Sequence, residues 1–323
     1  MSEAVLDGAD WPTFGWRDDI RPALANAMAA GRSVVLATLV KVEGSAPRGP
    51  GAQMLFDGNA ASGYFSGDCI EADVARHAAE VLADGQPQRL HYGMGSPWID
   101  IRLRCGGALH LLVERITPDC AAAKELLEHA SSRRQCVWQS DGLEQRVIAG
   151  GGPLLTTEGA RVARRFDPPR RLVVSGGDPG ALALAHLAAQ ANFETVLVRP
   201  DGPETPPPFP VSHYSRESVV TALEMLGTDR WTAFIGATHE DHHDLAACLH
   251  ALRHGAAWVG MIGAKSRAEG RKAVLAAAGA SEDELARLHL SPGIAGLGKA
   301  PFEVATGILA AVMQAMNPAL ERA

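Results

Sequence analysis

The sequence predicts an α/β protein with an N-terminal α+β domain and a C-terminal Rossmann-like domain that contains a parallel sheet. A length of 323 residues is typical of about two domains. The first half of the chain contains strand-like segments between loops rich in glycine and proline. From residue 170 onward, strand and helix patterns alternate, and this alternation indicates a parallel sheet.

The pattern changes at residues 166–169, whose sequence is FDPP, and this change marks the predicted domain boundary. We therefore predict an N-terminal arm over residues 1–19, an α+β domain with a connector over 20–165, and a Rossmann-like domain over 166–323. The arm is rich in aromatic residues, which either pack on the domain or dock a partner.

Composition excludes several classes of protein. Hydrophobic residues make up 46% of the chain and charged residues 21%, which is ordinary for a globular protein. A formal net charge of −7 argues against general nucleic-acid binding, and the chain lacks an apolar run long enough to span a membrane. We see no signal peptide, and the 5 scattered cysteines lack C-x-x-C spacing. These features predict a reduced, cytoplasmic protein.

Local patterns predict most of the secondary structure. In the first domain we expect helices over 19–31, 70–84 and 118–131, and strands over 34–42, 53–56, 89–92, 100–104 and 108–114. The connector is expected to hold short strands over 136–139, 145–148 and 152–156. In the second domain we expect strands over 172–174, 195–198, 232–235 and 258–262, and helices over 181–192, 219–226, 241–254, 266–278 and 301–316.

Two turns of the first domain are candidate binding sites. Residues 43–51, EGSAPRGPG, form a loop preset by glycine and proline, which allows close backbone approach and holds Arg48. Cys69 follows Gly67 at the start of a predicted helix, where the helix dipole favours a thiolate but neighbouring acidic residues oppose it. The alternative for Cys69 is a small buried residue without a chemical role.

Residues 175–180, SGGDPG, stand where a dinucleotide-binding protein carries the fingerprint G-x-G-x-x-G. Gly177 and Gly180 are kept, whereas Ser175 replaces the first glycine and Asp178 puts a negative charge where a pyrophosphate would lie. Arg199 stands at the end of the next strand, where an acidic residue usually binds the ribose. The turn therefore predicts a Rossmann-like fold but disfavours NAD(P); a bound nucleotide would carry a phosphorylated ribose.

Residues 235–244, IGATHEDHHD, contain the zinc-protease pattern H-E-x-x-H at His239, Glu240 and His243. The match lies at a strand-to-helix corner rather than inside a helix, so we reject a protease. Corners of this kind line the ligand crevice of α/β sheets, which predicts ligand contact from Thr238 and His239. The structural alternative is a capped helix start with solvated side chains. A metal ion bound by His239, His242 and His243 is a further alternative.

Two further glycine-rich turns precede helices. Gly263 allows close backbone approach to a ligand, and Lys265 and Arg267 supply positive charge for an anionic group. Residues 289–301, HLSPGIAGLGKAP, end at a predicted helix start and place Lys299 beside it. The alternative for both turns is a structural helix start with solvated basic residues.

Several of these motifs together resemble the XdhC/CoxI family. The residues concerned are EGSAPRGPGAQM (43–54), the turn GDCIE (67–71), SPWIDI with LRCGG (96–107), and the T-H-x-x-x-x-D pattern at residues 238–244. Proteins of this family are molybdenum-cofactor chaperones that help mature enzymes related to xanthine dehydrogenase and carbon monoxide dehydrogenase. Asp68 and Ala264 replace residues that are usually glycine and serine, which indicates a divergent member.

The resemblance implies a cytoplasmic accessory factor rather than an enzyme. It would bind a molybdopterin-type cofactor as cargo and deliver it, after assisting sulfuration, to a molybdenum hydroxylase apoenzyme. A cysteine desulfurase is a further expected partner, a homodimer the expected assembly, and neither nucleic acid nor a membrane is expected. The implied cofactor-binding residues are Arg48, Gly49, Gly51, Gly67, Cys69, Cys105, Gly106, Gly177, Gly180, Thr238, His239, Gly263, Lys265, Arg267 and Lys299. The alternatives are an NAD(P)-dependent oxidoreductase and a non-catalytic protein–protein scaffold.

Overall fold

A computed structural model describes residues 14–15, 17–58, 60–67, 69–96, 103 and 106–317. The chain divides into two compact units, with Pro168 the last residue of unit 1 and Pro169 the first of unit 2. Within the described residues, no helix is long and apolar enough to cross a membrane.

Unit 1 is built on a six-stranded sheet with the strand order β1-β4-β3-β2-β6-β5. Its strands are β1 (Phe14–Gly15), β2 (Val34–Glu43), β3 (Gln53–Phe56), β4 (Ala61–Gly63), β5 (Gln88–Gly93) and β6 (Ala108–Ile116). The helices of unit 1 are α1 (Arg21–Ala29), α2 (Glu71–Asp84) and α3 (Ala121–Ser131). Long β2 pairs antiparallel with β3 and with β6, so the centre of the sheet is antiparallel.

A second sheet of unit 1 has four antiparallel strands in the order β8-β7-β10-β9. Its strands are β7 (Cys136–Ser140), β8 (Gln145–Ala149), β9 (Leu155–Glu158) and β10 (Arg161–Phe166). Trp138 and Phe166 bury their rings in the same core as Leu24 of α1 and Leu126 of α3. The predicted connector is thus a sheet that completes the core of unit 1, and a strand ends at Phe166.

The six-stranded sheet of unit 1 is buried on both faces. Alternate residues of β2 separate the faces, since Val35 and Ala37 pack with Val74 of α2. Val34 and Leu36 pack instead with α1, α3 and the four-stranded sheet. This two-sided burial explains why β2 reads as a nearly continuous apolar run rather than as alternating polar and apolar residues.

Unit 2 contains a six-stranded parallel sheet in the order β13-β12-β11-β14-β15-β16, which is the order of dinucleotide-binding Rossmann folds. Its strands are β11 (Arg171–Gly176), β12 (Glu194–Val198), β13 (His213–Ser215), β14 (Thr232–Ala237), β15 (Trp258–Met261) and β16 (Leu288–Leu290). Its helices are α4 (Pro179–Gln190), α5 (Val219–Leu226), α6 (Asp241–Arg253), α7 (Ala268–Ala277), α8 (Glu282–Ala286) and α9 (Pro301–Ala315). Helices α4 and α9 cover one face, and α5, α6 and α7 cover the other.

The predicted fold class is confirmed, because unit 1 mixes helices with a mainly antiparallel sheet and unit 2 has a parallel Rossmann-like sheet. Pattern reading missed the short elements β4, β10, β13, β16 and α8. Strands of three residues, such as β13 and β16, are too short to show a period, and pairing with a neighbouring strand defines them. The strand expected over 100–104 and most of the N-terminal arm lie outside the described residues.

Candidate functional site

Three turns of unit 1 meet backbone against backbone at one end of the β2, β5 and β6 strands. A Cβ atom added to Gly107 would overlap the carbonyl oxygens of Ser45 and Glu43. One added to Gly93 would overlap the Gly107 carbonyl oxygen, and Gly44 lies against the Gly107 Cα. We call Gly44, Gly93 and Gly107 the glycine-turn cluster. Its close approach brings together two segments that carry the predicted cofactor motifs.

The four-stranded sheet supports the loop over residues 44–51. The Nε of Arg164 in β10 donates to the Gly51 carbonyl oxygen at 3.2 Å, and its guanidinium lies 3.8 Å from the centre of the Phe166 ring. Burial, followed by the nearby charge of Arg21, lowers the pKa of Arg164 to about 10. The side chain therefore stays charged at neutral pH. Arg164 was missed as a supporting residue, because it is remote in sequence and no local motif marks it.

Arg48, the predicted anion-binding residue of this loop, already has partners. Its guanidinium pairs with the Asp18 carboxylate and lies 4.7 Å from the centre of the Tyr64 ring. Burial alone would lower the pKa of Arg48, but the hydrogen bonds and charges of Asp18 and Tyr64 together outweigh burial and raise the pKa. A ligand at Arg48 would have to displace Asp18. In the same loop Gly49 is exposed, and Gly51 takes a left-handed conformation with φ +93°.

The turn before α2 is occupied by the chain's own carboxylate. Glu71 is fully buried, and its oxygens accept from the backbone N–H groups of Phe65 at 3.0 Å and Gly67 at 3.1 Å. They also accept from the backbone and the hydroxyl of Ser66, both at 2.6 Å. Burial would raise the pKa of Glu71, but these hydrogen bonds lower it below its ordinary value. The Gly67 amide, which was expected to face a cofactor, is thus held by Glu71, and the amide of half-buried Cys69 donates to Ser66 Oγ at 3.0 Å.

A stacked histidine pair lies beside the glycine-turn cluster. His91 of β5 faces His110 of β6 across the sheet, with ring centres 4.2 Å apart and planes 11° from parallel. His91 Nε2 is buried and has no hydrogen-bond partner among the described residues. His110 Nε2 lies 3.3 Å from Glu43 Oε1, one residue before Gly44. Burial and the neighbouring His91 lower the pKa of His110, so its ring is neutral at neutral pH.

Sequence reasoning missed this histidine pair. A signal was present, because each histidine stands between apolar residues of a strand, as in Leu90-His91-Tyr92. Cys105, which was expected to contact the cofactor, lies outside the described residues. Its neighbour Gly106 is exposed and takes a left-handed conformation with φ +71°.

The glycine-rich turn of unit 2 lies where the strand order reverses, between β11 and β14. Asp178 caps α4 by accepting from the Ala181 backbone N–H at 2.6 Å, and its other oxygen lies 2.5 Å from His239 Nε2. The Arg199 guanidinium lies against Gly177, and an added Cβ there would overlap it. At Gly180, in the first turn of α4, an added Cβ would lie 3.3 Å from Asp178 Oδ1. The predicted phosphate turn therefore carries a carboxylate and a guanidinium of the chain itself.

Thr238 serves the fold at the neighbouring corner. Its hydroxyl donates to the Asp244 carboxylate at 2.9 Å, and its backbone N–H donates to the same group at 3.1 Å. Asp244 is fully buried, and burial raises its pKa in spite of these hydrogen bonds. His239 is 59% exposed and takes a left-handed conformation with φ +67°. Of the two predicted contact residues at this corner, His239 is the one that faces solvent.

The turn after β15 is organised by an arginine that sequence reasoning missed. Arg271 of α7 is buried, donates to Asp241 Oδ1 at 2.7 Å, and lies under Gly263, where an added Cβ would overlap it. Lys265 and Arg267 lie in an exposed 3-10 turn, and Arg267 is 3.6 Å from the same Asp241 oxygen. Lys299 is exposed just before α9. These cations belong to unit 2.

Comparison with known proteins extends these observations. The XdhC and CoxI family model matches residues 27–93, and the XdhC Rossmann domain matches residues 172–312. The chain is 28% identical over 303 residues to the molybdenum cofactor insertion chaperone PaoD of Escherichia coli (strain K12), covering 91% of this chain and 88% of PaoD. It is 26% identical to a probable xanthine dehydrogenase subunit of Bacillus subtilis (strain 168), covering 87% of this chain and 92% of that protein.

A crystal structure described as a xanthine dehydrogenase from Bacillus halodurans has the same fold, with a TM-score of 0.71. It is 21% identical and covers 94% of this chain and 96% of that one. The two matched segments include the glycine-rich loop of unit 1 and nearly all of the parallel sheet of unit 2. The sequence-based family prediction is confirmed: the chain belongs to the XdhC/CoxI family.

Proposed function

We propose that this protein is an accessory factor that binds a molybdopterin-type cofactor and delivers it to a molybdenum hydroxylase. The observation that carries the proposal is the glycine-turn cluster beside the His91–His110 pair. There the backbone of one turn lies where a side chain of another turn would otherwise be. The exposed glycines beside these contacts, Gly44 and Gly106, leave backbone groups accessible to a polar ligand. The similarity to a named molybdenum cofactor insertion chaperone supports the same assignment.

The chain's own residues have distinct roles in this proposal. The half-buried His91 and the neutral His110 have buried Nε2 atoms, which would donate to or accept from the cargo once a local movement exposes them. Arg48 supplies a charge for an anionic group once Asp18 is displaced. Gly49 and Gly106 are exposed and leave the backbone accessible, whereas Gly51 is buried and its carbonyl oxygen accepts from Arg164. Cys69 and Cys105 supply thiols, and assistance with sulfuration by a cysteine desulfurase remains part of the proposal.

Unit 2 carries a separate set of predicted contact residues. The predicted residues are Gly177, Gly180, Thr238, His239, Gly263, Lys265, Arg267 and Lys299. The structure supports ligand contact unequally for these residues. Thr238 is bound to Asp244, whereas His239, Lys265 and Lys299 are exposed. A homodimer and a cytoplasmic location also remain predictions.

Nucleotide binding by unit 2 is the second candidate function. Its strand order is that of dinucleotide-binding folds, and Arg199 lies beside a cavity of about 170 Å³ next to the proline-rich segment 203–209. The Asp178 carboxylate argues against it, because it accepts the amide hydrogen that a phosphate would need. NADPH titration of the whole protein distinguishes this function from cofactor delivery.

The main test is anaerobic incubation of the purified protein with free molybdenum cofactor. Gel filtration and the fluorescence of the oxidised pterin then measure how much cofactor stays with the protein. We expect pterin in the protein peak, and its loss in a His91→Ala or Arg48→Ala variant. His289→Ala is the matched control, because His289 is also a stacked histidine, 5.0 Å from Trp258 in unit 2.

Absence of pterin from the wild-type peak would contradict the proposal, provided the circular dichroism spectrum shows a folded protein. Equal loss in His91→Ala and His289→Ala would contradict the assignment of the site to the glycine-turn cluster. Saturable NADPH binding without pterin binding would favour the second candidate function.

A further inference from the structure

The first turn of α6 separates its polar side chains into two groups. Asp244 is buried and bound to Thr238, and Asp241 is bound to Arg271 at 2.7 Å. Glu240, His242 and His243 point instead to solvent, with exposed side-chain fractions of 61%, 71% and 61%. We call these three residues the α6 cluster.

The α6 cluster gathers three metal-ligating atoms in a small volume. Glu240 Oε2 lies 4.0 Å from His242 Nδ1 and 3.9 Å from His243 Nδ1. All three ligand atoms lie within 4.8 Å of one another, and the two imidazole ring centres are 3.9 Å apart. Tetrahedral zinc with bonds of about 2.0–2.1 Å sets its ligand atoms roughly 3.4 Å apart. Small side-chain rotations, unhindered at these exposed positions, close the difference.

The backbone beneath the α6 cluster is well anchored. The Glu240 backbone N–H donates to Thr238 Oγ1 at 3.1 Å, and the His243 backbone N–H donates to the Glu240 carbonyl oxygen at 3.1 Å. Thr238 is itself tied to buried Asp244. Only side-chain rotation therefore has to be restricted when an ion binds, which lowers the entropic penalty of binding.

We propose that Glu240, His242 and His243 bind one divalent transition-metal ion, with zinc the best match. Two imidazoles and one carboxylate are suited to zinc, copper, nickel and iron rather than to magnesium or calcium. Three protein ligands leave a coordination position open to a further ligand. The Glu240 carboxylate counters the partial positive charge that the helix N-terminus presents to a cation.

This site differs from the H-E-x-x-H pattern of the sequence, which would use His239 and His243. His239 Nε2 is engaged with Asp178 Oδ2 at 2.5 Å, and its left-handed backbone precedes the helix. The second imidazole of the proposed site is therefore that of His242, and not that of His239 as the sequence pattern would have it. The inference goes beyond the proposed function, since it concerns a resident ion and not the molybdenum cargo.

The test is zinc titration of the whole, untagged protein after treatment with a chelator. Isothermal titration calorimetry counts the ions, and Co²⁺ substitution gives a visible spectrum that reports the ligands. We expect one ion per chain, and we expect His242→Ala and His243→Ala each to weaken binding at least about tenfold. Glu240→Gln should weaken it as well and should alter the Co²⁺ spectrum.

Two control variants test the location. His239→Ala keeps the α6 cluster and should bind zinc as the wild type does. His254→Ala removes one ring of the His250–His254 pair on the same helix, whose ring centres are 4.0 Å apart, and should also leave binding unchanged. Exposed variants of this kind are expected to keep the melting temperature of the wild type.

Several results would overturn the inference. They are wild-type protein that binds no zinc, His242→Ala and His243→Ala variants that bind as the wild type does, or a loss in His239→Ala as large as that in His243→Ala. A loss in His254→Ala alone would place the ion at the other histidine pair and would overturn it equally.

Discussion

The glycine-turn cluster of unit 1 and the turns at the strand ends of unit 2 differ in which groups fill the space beside the backbone. In unit 1, absent Cβ atoms let Gly93 and Gly107 approach the backbone of other turns, and His91 Nε2 is left without a partner among the described residues. In unit 2, the chain's own carboxylates at Asp178 and Asp244 occupy the corners. Glycine content alone therefore does not identify an open site; the partners of the nearby polar groups decide it.

The turn before α2 in unit 1 is occupied by a carboxylate of the chain, as the turns of unit 2 are. A Glu71→Gln variant tests how much this carboxylate stabilises the turn. The amide places a donor where backbone N–H groups also donate, so we expect the free energy of unfolding to fall by about 1.5–3 kcal/mol at neutral pH. Chemical denaturation measures this change. Glu80→Gln, at an exposed ion pair of the same helix, is the control and should change it by less than about 0.5 kcal/mol.

The pH dependence of the Glu71 effect has a definite sign. The folded-state pKa of Glu71 lies below its ordinary value of 4.5, so its contribution is fully present above that pH. It is lost as the pH falls through the folded-state pKa. The stability difference between wild type and Glu71→Gln should therefore shrink in acid, and a constant difference would contradict the role of the ionised carboxylate.

A Gly107→Ala variant tests whether close backbone approach defines the glycine-turn cluster. The added methyl group would overlap the Ser45 and Glu43 carbonyl oxygens, and overpacking of this kind costs about 1–3 kcal/mol. Thermal unfolding and pterin retention are the measurements, and both should decrease. Gly49→Ala is the matched control, because no atom lies within 4 Å of its added Cβ. Equal effects of Gly107→Ala and Gly49→Ala would contradict a special role for close backbone approach at Gly107.

An Asp178→Ala variant tests whether a carboxylate blocks the anion site of unit 2. Loss of the helix cap should lower the free energy of unfolding by about 1 kcal/mol. It should also free the Ala181 backbone N–H and remove a negative charge, so inorganic pyrophosphate should bind more tightly in calorimetry. Ser218→Ala removes the comparable cap of α5 and should affect stability alone. Unchanged pyrophosphate binding in Asp178→Ala would show that the carboxylate is not the obstacle.

The smallest expected effect is a change in the pH dependence of stability. It compares the two units through one buried carboxyl group in each, Glu114 in unit 1 and Asp244 in unit 2. Burial raises the pKa of each, so the folded state retains a proton that the unfolded state loses. Stability should therefore fall as the pH rises from the ordinary pKa of the group to its raised value. Glu114→Gln and Asp244→Asn should each flatten this slope, which urea denaturation at several pH values measures. An unchanged slope in both variants would contradict the shifts.

Local sequence patterns predicted the main elements of the fold because side-chain periodicity is a local property. Gln53–Phe56 and Val219–Leu226 match the predicted bounds. Elements defined by pairing were missed, including β10, which pairs antiparallel with β7 and with β9. For the candidate site, glycine-rich segments were identified, but the His91–His110 pair, Arg164 and Arg271 were not. No short motif contains these residues together with the groups that they contact.

The sequence by itself determined the fold class, the turns that require glycine, and membership of the XdhC/CoxI family, since all three depend on residues close together in the chain. Tertiary structure decided which charges and amides already have partners. Arg48 meets Asp18 across 30 residues, and Arg164 reaches Gly51 across 113. Contacts over such separations depend on how strands and helices pack, which no local pattern specifies. For that reason the same glycine-rich signal marks turns that pack on one another in unit 1 and turns that are occupied by carboxylates of the chain in unit 2.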